Sequence, residues 1–135
     1  MNTVAVIDYG MGNLRSVVKA IEHVAPHARV RLTSNAEEVA HAERVVFPGQ
    51  GAIAGCMTAL DACHLRAAVL QAVQTKPFLG ICLGLQALYD FSEEGGGVKG
   101  LGVLPGRVPR FPAAMRDAVT GQALKVPHMG WNQVQ

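Results

Sequence analysis

Charge is scarce in this chain: 16% of its 135 residues are Asp, Glu, Lys or Arg, and the formal net charge at pH 7 is +2. Polyanions are held by massed basic side chains, and here Lys and Arg are scattered, so no nucleic-acid partner is expected. No apolar run approaches the roughly 20 residues that a membrane-spanning helix needs, and no membrane association is expected. The three cysteines, Cys56, Cys63 and Cys82, are odd in number and lack the paired spacing of a zinc site or a disulfide framework. Neither a metal nor a cofactor is expected. The amino terminus runs straight into a strand-like segment without a secretory signature, which makes a reducing cytoplasm the expected compartment. Internal repeats and dividing linkers are also missing. Half of the residues are hydrophobic, so residues 1–135 read as one globular domain that buries roughly two-thirds of its unfolded surface.

What the chain does have is an alternation of two periods. Val4 to Ile7 is a β-prone run ending at Asp8; the glycine-broken stretch Tyr9-Gly10-Met11-Gly12-Asn13 follows, and then Leu14, Val17, Val18 and Ile21 recur at helical spacing. Residues 29–32 make a second short strand, and Thr33-Ser34-Asn35 supplies a capping signal for a helix over 36–40. A third strand, 45–47, stops at Pro48-Gly49-Gln50-Gly51, and helical patterns cover 53–60 and 65–73. Lys76 and Pro77 open a fourth strand that delivers Cys82, with a helix over 83–89 behind it. Beyond Asp90 the pattern predicts a flexible loop at 93–97 and short strands at 101–104, 107–111 and 123–126. Strand and helix in alternation imply an α/β fold, an open, mostly parallel sheet with helices on both faces.

The richest stretch is Phe78-Leu79-Gly80-Ile81-Cys82-Leu83-Gly84-Leu85-Gln86. A nucleophile at a strand-to-helix turn needs small neighbours, because only they tolerate the tight backbone that lifts its side chain clear of the sheet edge. A helix starting at Leu83 aims free N–H groups at the sulfur, and such cysteines fall from a pKa of about 8.5 to roughly 3.5–7.5. On the motif alone, Cys82 is equally a small hydrophobe in a close helix–strand contact. Cys56 and Cys63, two turns apart on one helix, read as packing residues. In open α/β sheets the reactive groups collect beyond the carboxyl ends of the strands. Three glycine-rich loops of this chain end there, 8–13, 48–52 and the Cys82 turn, and their backbone N–H groups suit an oxyanion of acyl transfer.

With those loops placed, the chain resembles the glutaminase subunits of imidazole glycerol phosphate synthases, class I glutamine amidotransferases of histidine biosynthesis. The matching segments are Ile7-Asp8-Tyr9-Gly10-Met11-Gly12-Asn13-Leu14, Pro48-Gly49-Gln50-Gly51-Ala52, the Cys82 turn, Leu101-Gly102-Val103-Leu104-Pro105-Gly106 and Pro127-His128-Met129-Gly130-Trp131-Asn132. The resemblance implies a flavodoxin-like sheet and Cys82 attacking the side-chain amide of L-glutamine. It implies oxyanion donors at Leu83 and in the loop carrying Gln50 and Gly51, with Gln86 and Gly51 binding substrate. It also implies ammonia transfer to a (β/α)8 cyclase subunit, in a heterodimer whose interface takes in Asn13, His128, Met129 and Trp131. Gln50 stands where that family often has an apolar residue.

Amide hydrolysis by a thiol also needs a base and an acid, and a histidine held by a carboxylate serves as both. The family carries that pair in a His-Pro-Glu segment that this sequence does not contain. The resemblance is therefore expected to cover about the first two-thirds of a subunit, and the 135 residues alone are expected to be inactive or nearly so. His23, His27, His41 and His64 read as solvated side chains, and His128 matches a position near the partner rather than the base. Two other classes remain: a non-catalytic binding module that keeps the partner surface, and a redox thiol protein with a similar turn.

Overall fold

The structure, a computed structural model, describes residues 2–133. Its centre is a four-stranded parallel sheet in the order β2-β1-β3-β4, built from β1 (Thr3–Ile7), β2 (Arg29–Thr33), β3 (Arg44–Gly49) and β4 (Phe78–Cys82). The two middle strands are the continuous apolar runs, buried along Val4 to Ile7 and Val45 to Pro48, as strands covered on both faces must be. Side chains alternate across the sheet. Val4, Val6 and Val46 pack against Val17, Val18 and Ile21 of α1 (Leu14–Val24). Ala5, Ile7, Val45 and Phe47 face the larger core with α2 (Ala36–His41), α3 (Ile53–Ala62) and α4 (Arg66–Thr75), which contribute Val39, Ile53, Leu60 and Val69. This is the open, mostly parallel sheet with helices on both faces that the sequence implies. Strand β4 lies at its edge, with Leu79 56% exposed.

Beyond Cys82 the structure departs from expectation. Helix α5 spans only Leu83–Gln86, and Tyr89–Ser92 is strand β5, the middle of a second sheet with β6 (Val98–Lys99) and β7 (Leu104–Val108). The reason is competition for carbonyls. Those of Ala87 and Leu88 accept from the amides of Leu101, Val103 and Leu104, so they are unavailable to a helix continuing past residue 88. The strand expected at 101–104 is instead the connection that makes those bonds. The strand expected at 107–111 lies earlier, at β7, and of 123–126 only Ala123 pairs, in a single bridge with Arg116. Among the described residues no single helix is long and apolar enough to cross a membrane, and no cluster of metal-ligating side chains occurs.

One tie between layers was not readable as such. The Lys76 ammonium, just before β4, donates to the carbonyls of Val39, Ala40 and Ala42 at 3.3, 2.6 and 2.8 Å, closing the C-terminal end of α2. A cation on exposed helix carbonyls satisfies acceptors the helix cannot and complements its dipole. Lys76→Met, which keeps the aliphatic stem, is expected to cost about 1–2 kcal/mol. That loss is measurable as a lowered urea midpoint at unchanged slope.

Candidate active site

Cys82 is the last residue of β4 and is exposed, with φ of 55° and ψ of −116°. A residue with a Cβ rarely adopts such a backbone, and holding it there costs on the order of 1–3 kcal/mol. Glycines make it possible. A methyl group at Gly84 would drive into the Phe47 carbonyl oxygen, and one at Gly80 would lie 2.9 Å from Leu85 Cα. At Gly49, the strand-end partner of Cys82 in the ladder, it would lie 2.8 Å from both the Gly84 nitrogen and Leu83 Cβ. The end of β3 is therefore jammed against the turn that carries the sulfur.

The first loop closes on the other side. Gly12 approaches Gly49, and the Met11 methyl would be 3.0 Å from a Cβ on Gly51, whose φ is 99°. Loops 8–13, 48–52 and the Cys82 turn thus meet, as the sheet topology requires. Leu83 is buried with its side chain in the core, and as the first helical residue its N–H has no partner inside α5. Gln50 and Gly51 are exposed beside it. Helix α5 is a single turn, so the dipole expected from a helix over 83–89 is reduced to that of one turn.

Gln86 ends that turn, half-buried, at the rim of a cleft of about 500 Å³ lined also by Ser92, Glu94, Gly95, Gly96 and Arg110. Sequence reasoning missed Glu94, which it assigned to a flexible loop. Its carboxylate accepts from the Ile53 N–H at 3.2 Å, capping α3 where Ala52 offers no side-chain acceptor. Asn13 caps α1, its Oδ1 accepting from the Ser16 N–H at 3.4 Å. Met129 and Trp131 are exposed on an irregular segment, where the His128 Nε2 is 2.8 Å from the Asn132 amide nitrogen. Among the other histidines, the His41 Nδ1 is engaged with the Glu37 carbonyl.

Two buried groups lie under the site. The Tyr9 hydroxyl donates to the Pro48 carbonyl at 2.9 Å and accepts from the Cys56 thiol at 3.5 Å. Cys56 is the packing residue expected of it, and also a donor. Burial pushes the Tyr9 hydroxyl far above the usual phenol range, with the Cys56 bond adding to it, and burial raises the Cys56 thiol as well. Both hold their protons to higher pH in the folded chain than in the unfolded one, which ionises a thiol near pH 8.5 and a phenol near 10. Above about pH 8.5 the unfolded state binds fewer protons than the folded one, so stability falls as pH rises. Urea midpoints taken from pH 7.5 to 10.5 are expected to decline, and Cys56→Ala, although itself less stable, is expected to flatten the first part of that decline.

Comparison with known proteins places this geometry. Residues 5–135 match the family described as glutamine amidotransferase class-I. The chain is 62% identical over 134 residues to the imidazole glycerol phosphate synthase subunit HisH of Nitrosospira multiformis and 63% identical over 134 residues to that of Aromatoleum aromaticum. Both alignments cover 99% of this chain and 63% of the relative, so the chain spans somewhat less than two thirds of their length. In three dimensions it matches a putative peptidase E from Listeria monocytogenes with a TM-score of 0.59 at 13% identity, over 76% of this chain and 63% of that one, which speaks to the fold alone. By its sequence over residues 5–135, the chain belongs to the class-I glutamine amidotransferase family.

Proposed function

We propose that this chain carries the nucleophile, the oxyanion donors and the substrate cleft of a glutaminase that serves imidazole glycerol phosphate synthesis in the cytoplasm. The observation that carries this is the exposed Cys82 at positive φ, pressed against the end of β3 by Gly49 and Gly84. In the reaction the Cys82 thiolate adds to the side-chain amide carbon of L-glutamine, and the oxygen takes the negative charge. The N–H groups of Leu83 and of the Gln50–Gly51 stretch are the donors for that oxyanion, each worth roughly 3 kcal/mol in such a hole. Ammonia leaves with a proton, a thioester remains, and water releases glutamate. Gln86 and Gly51 hold the substrate, and the Glu94 carboxylate, which lines a cleft with Gln86, complements its ammonium.

The proton-transfer pair comes from outside these 135 residues, which contain no His-Pro-Glu segment. Asn13, His128, Met129 and Trp131 face the (β/α)8 cyclase subunit that receives the ammonia. The relatives' shared name, a subunit of imidazole glycerol phosphate synthase, supports that partner. The absent pair also favours a second reading, a binding module without chemistry. L-Glutamine is expected to slow alkylation of Cys82 by iodoacetamide, while L-leucine leaves it unchanged. Equal rates with and without glutamine would sink the glutaminase assignment and favour the binding module.

A further inference from the structure

Tyr9 joins two of the loops that meet at Cys82. It leaves β1 at the start of the 8–13 loop, it is buried, and its hydroxyl holds the Pro48 carbonyl of β3 at 2.9 Å. The Cys56 thiol of α3 donates to the same hydroxyl oxygen at 3.5 Å, so the oxygen is held from one side and used on the other. The ring packs on Phe47 with centroids 5.4 Å apart. A phenylalanine would fill that space equally well. What the hydroxyl adds is a fixed point on one peptide unit.

That peptide unit matters. A peptide is planar, so holding the Pro48 oxygen also sets the direction of the Gly49 N–H and the start of Gln50 and Gly51. The glycines on both sides of Gln50 let the following peptide planes rotate at little cost, and the loop itself does little to choose among orientations. Position 49 has no room for a side chain, because the Tyr9 oxygen lies 2.6 Å from where a Cβ would be. We infer that Tyr9 is a positioning residue whose hydroxyl, backed by the Cys56 thiol, orients the 48–51 loop so that its amides face the oxyanion formed at Cys82. This rests on the glutaminase function proposed above.

Two probes of Cys82 separate positioning from simple packing. Iodoacetamide is displaced directly at carbon, with iodide leaving and no oxyanion formed. A chloromethyl ketone shaped like glutamine first takes the thiolate at its carbonyl carbon, placing charge on oxygen; the sulfur then moves to the adjacent carbon, the carbonyl re-forms and chloride leaves. Tyr9→Phe is expected to slow the ketone at least tenfold while leaving the iodoacetamide rate within twofold. Cys56→Ala, which keeps the tyrosine, is expected to slow the ketone two- to threefold, and Cys56→Ser, which restores a donor, to recover it. If Tyr9→Phe does not fold, the two Cys56 variants decide. Equal slowing of both reagents, or no slowing of the ketone, overturns the positioning role. A wild-type chain whose ketone reaction is indifferent to added L-glutamine overturns the glutaminase function itself, and this inference with it.

Discussion

Gly84→Ala is expected to lower the thermal midpoint by about 10 °C and to abolish the protection of Cys82 from iodoacetamide by L-glutamine. Its methyl group would enter the Phe47 carbonyl oxygen, and both groups are backbone, so neither can swing away as a side chain could. Moving β3 is also closed off, because Gly49 already lies against the Gly84 nitrogen and Leu83 Cβ. Strain of this kind, at a buried position with no rotamer to relieve it, costs about 3 kcal/mol or more. For a chain of this size each kcal/mol shifts the midpoint by roughly 3–5 °C. Differential scanning calorimetry gives the shift directly. A midpoint within 2 °C of wild type would mean that β3 and α5 are not locked as described.

The second large effect separates chemistry from stability at one position. Cys82→Ala keeps the backbone demand and removes the sulfur, so on the proposed function glutamate release, assayed in the complex which that proposal calls for, is expected to fall by about 10⁴ or more at an unchanged thermal midpoint. Cys82→Gly is expected to be as inactive and more stable by about 1 kcal/mol. A glycine at φ of 55° relieves the Cβ strain, although it loses more freedom on folding. A turn that holds a residue with a Cβ at a cost in stability gives up that cost when the Cβ is removed. If Cys82→Gly melts no higher than Cys82→Ala, the turn is not strained.

Much of the site was legible because its signals are local. The apolar runs of β1 and β3 name the middle strands, and Gly80, Cys82 and Gly84 name the turn. Parallel topology then brings the ends of β1, β3 and β4 to one edge without further information. What stayed hidden depends on partners distant in the chain. Tyr9 looked like part of a glycine loop, since the carbonyl it holds is 39 residues away. Glu94 looked like a flexible connection, since the helix it caps begins 41 residues earlier. The short α5 had the same cause: residues 83–89 carry a passable helical pattern, and only the amides of Leu101, Val103 and Leu104 arriving at Ala87 and Leu88 end it.

Among the described residues, an outer strand of the central sheet is the one that bears the Cys82 sulfur. Among the described residues strand β4 is laced to β3 along one flank, so the ladder seen here supplies half of the restraint that steadies an interior strand. The aim of Cys82 is therefore governed less by the ladder than by the wedge of Gly49 and Gly84 beneath it. Warming well short of the melting point would blur that aim first, so the molecule would lose its chemical sharpness before it loses its shape.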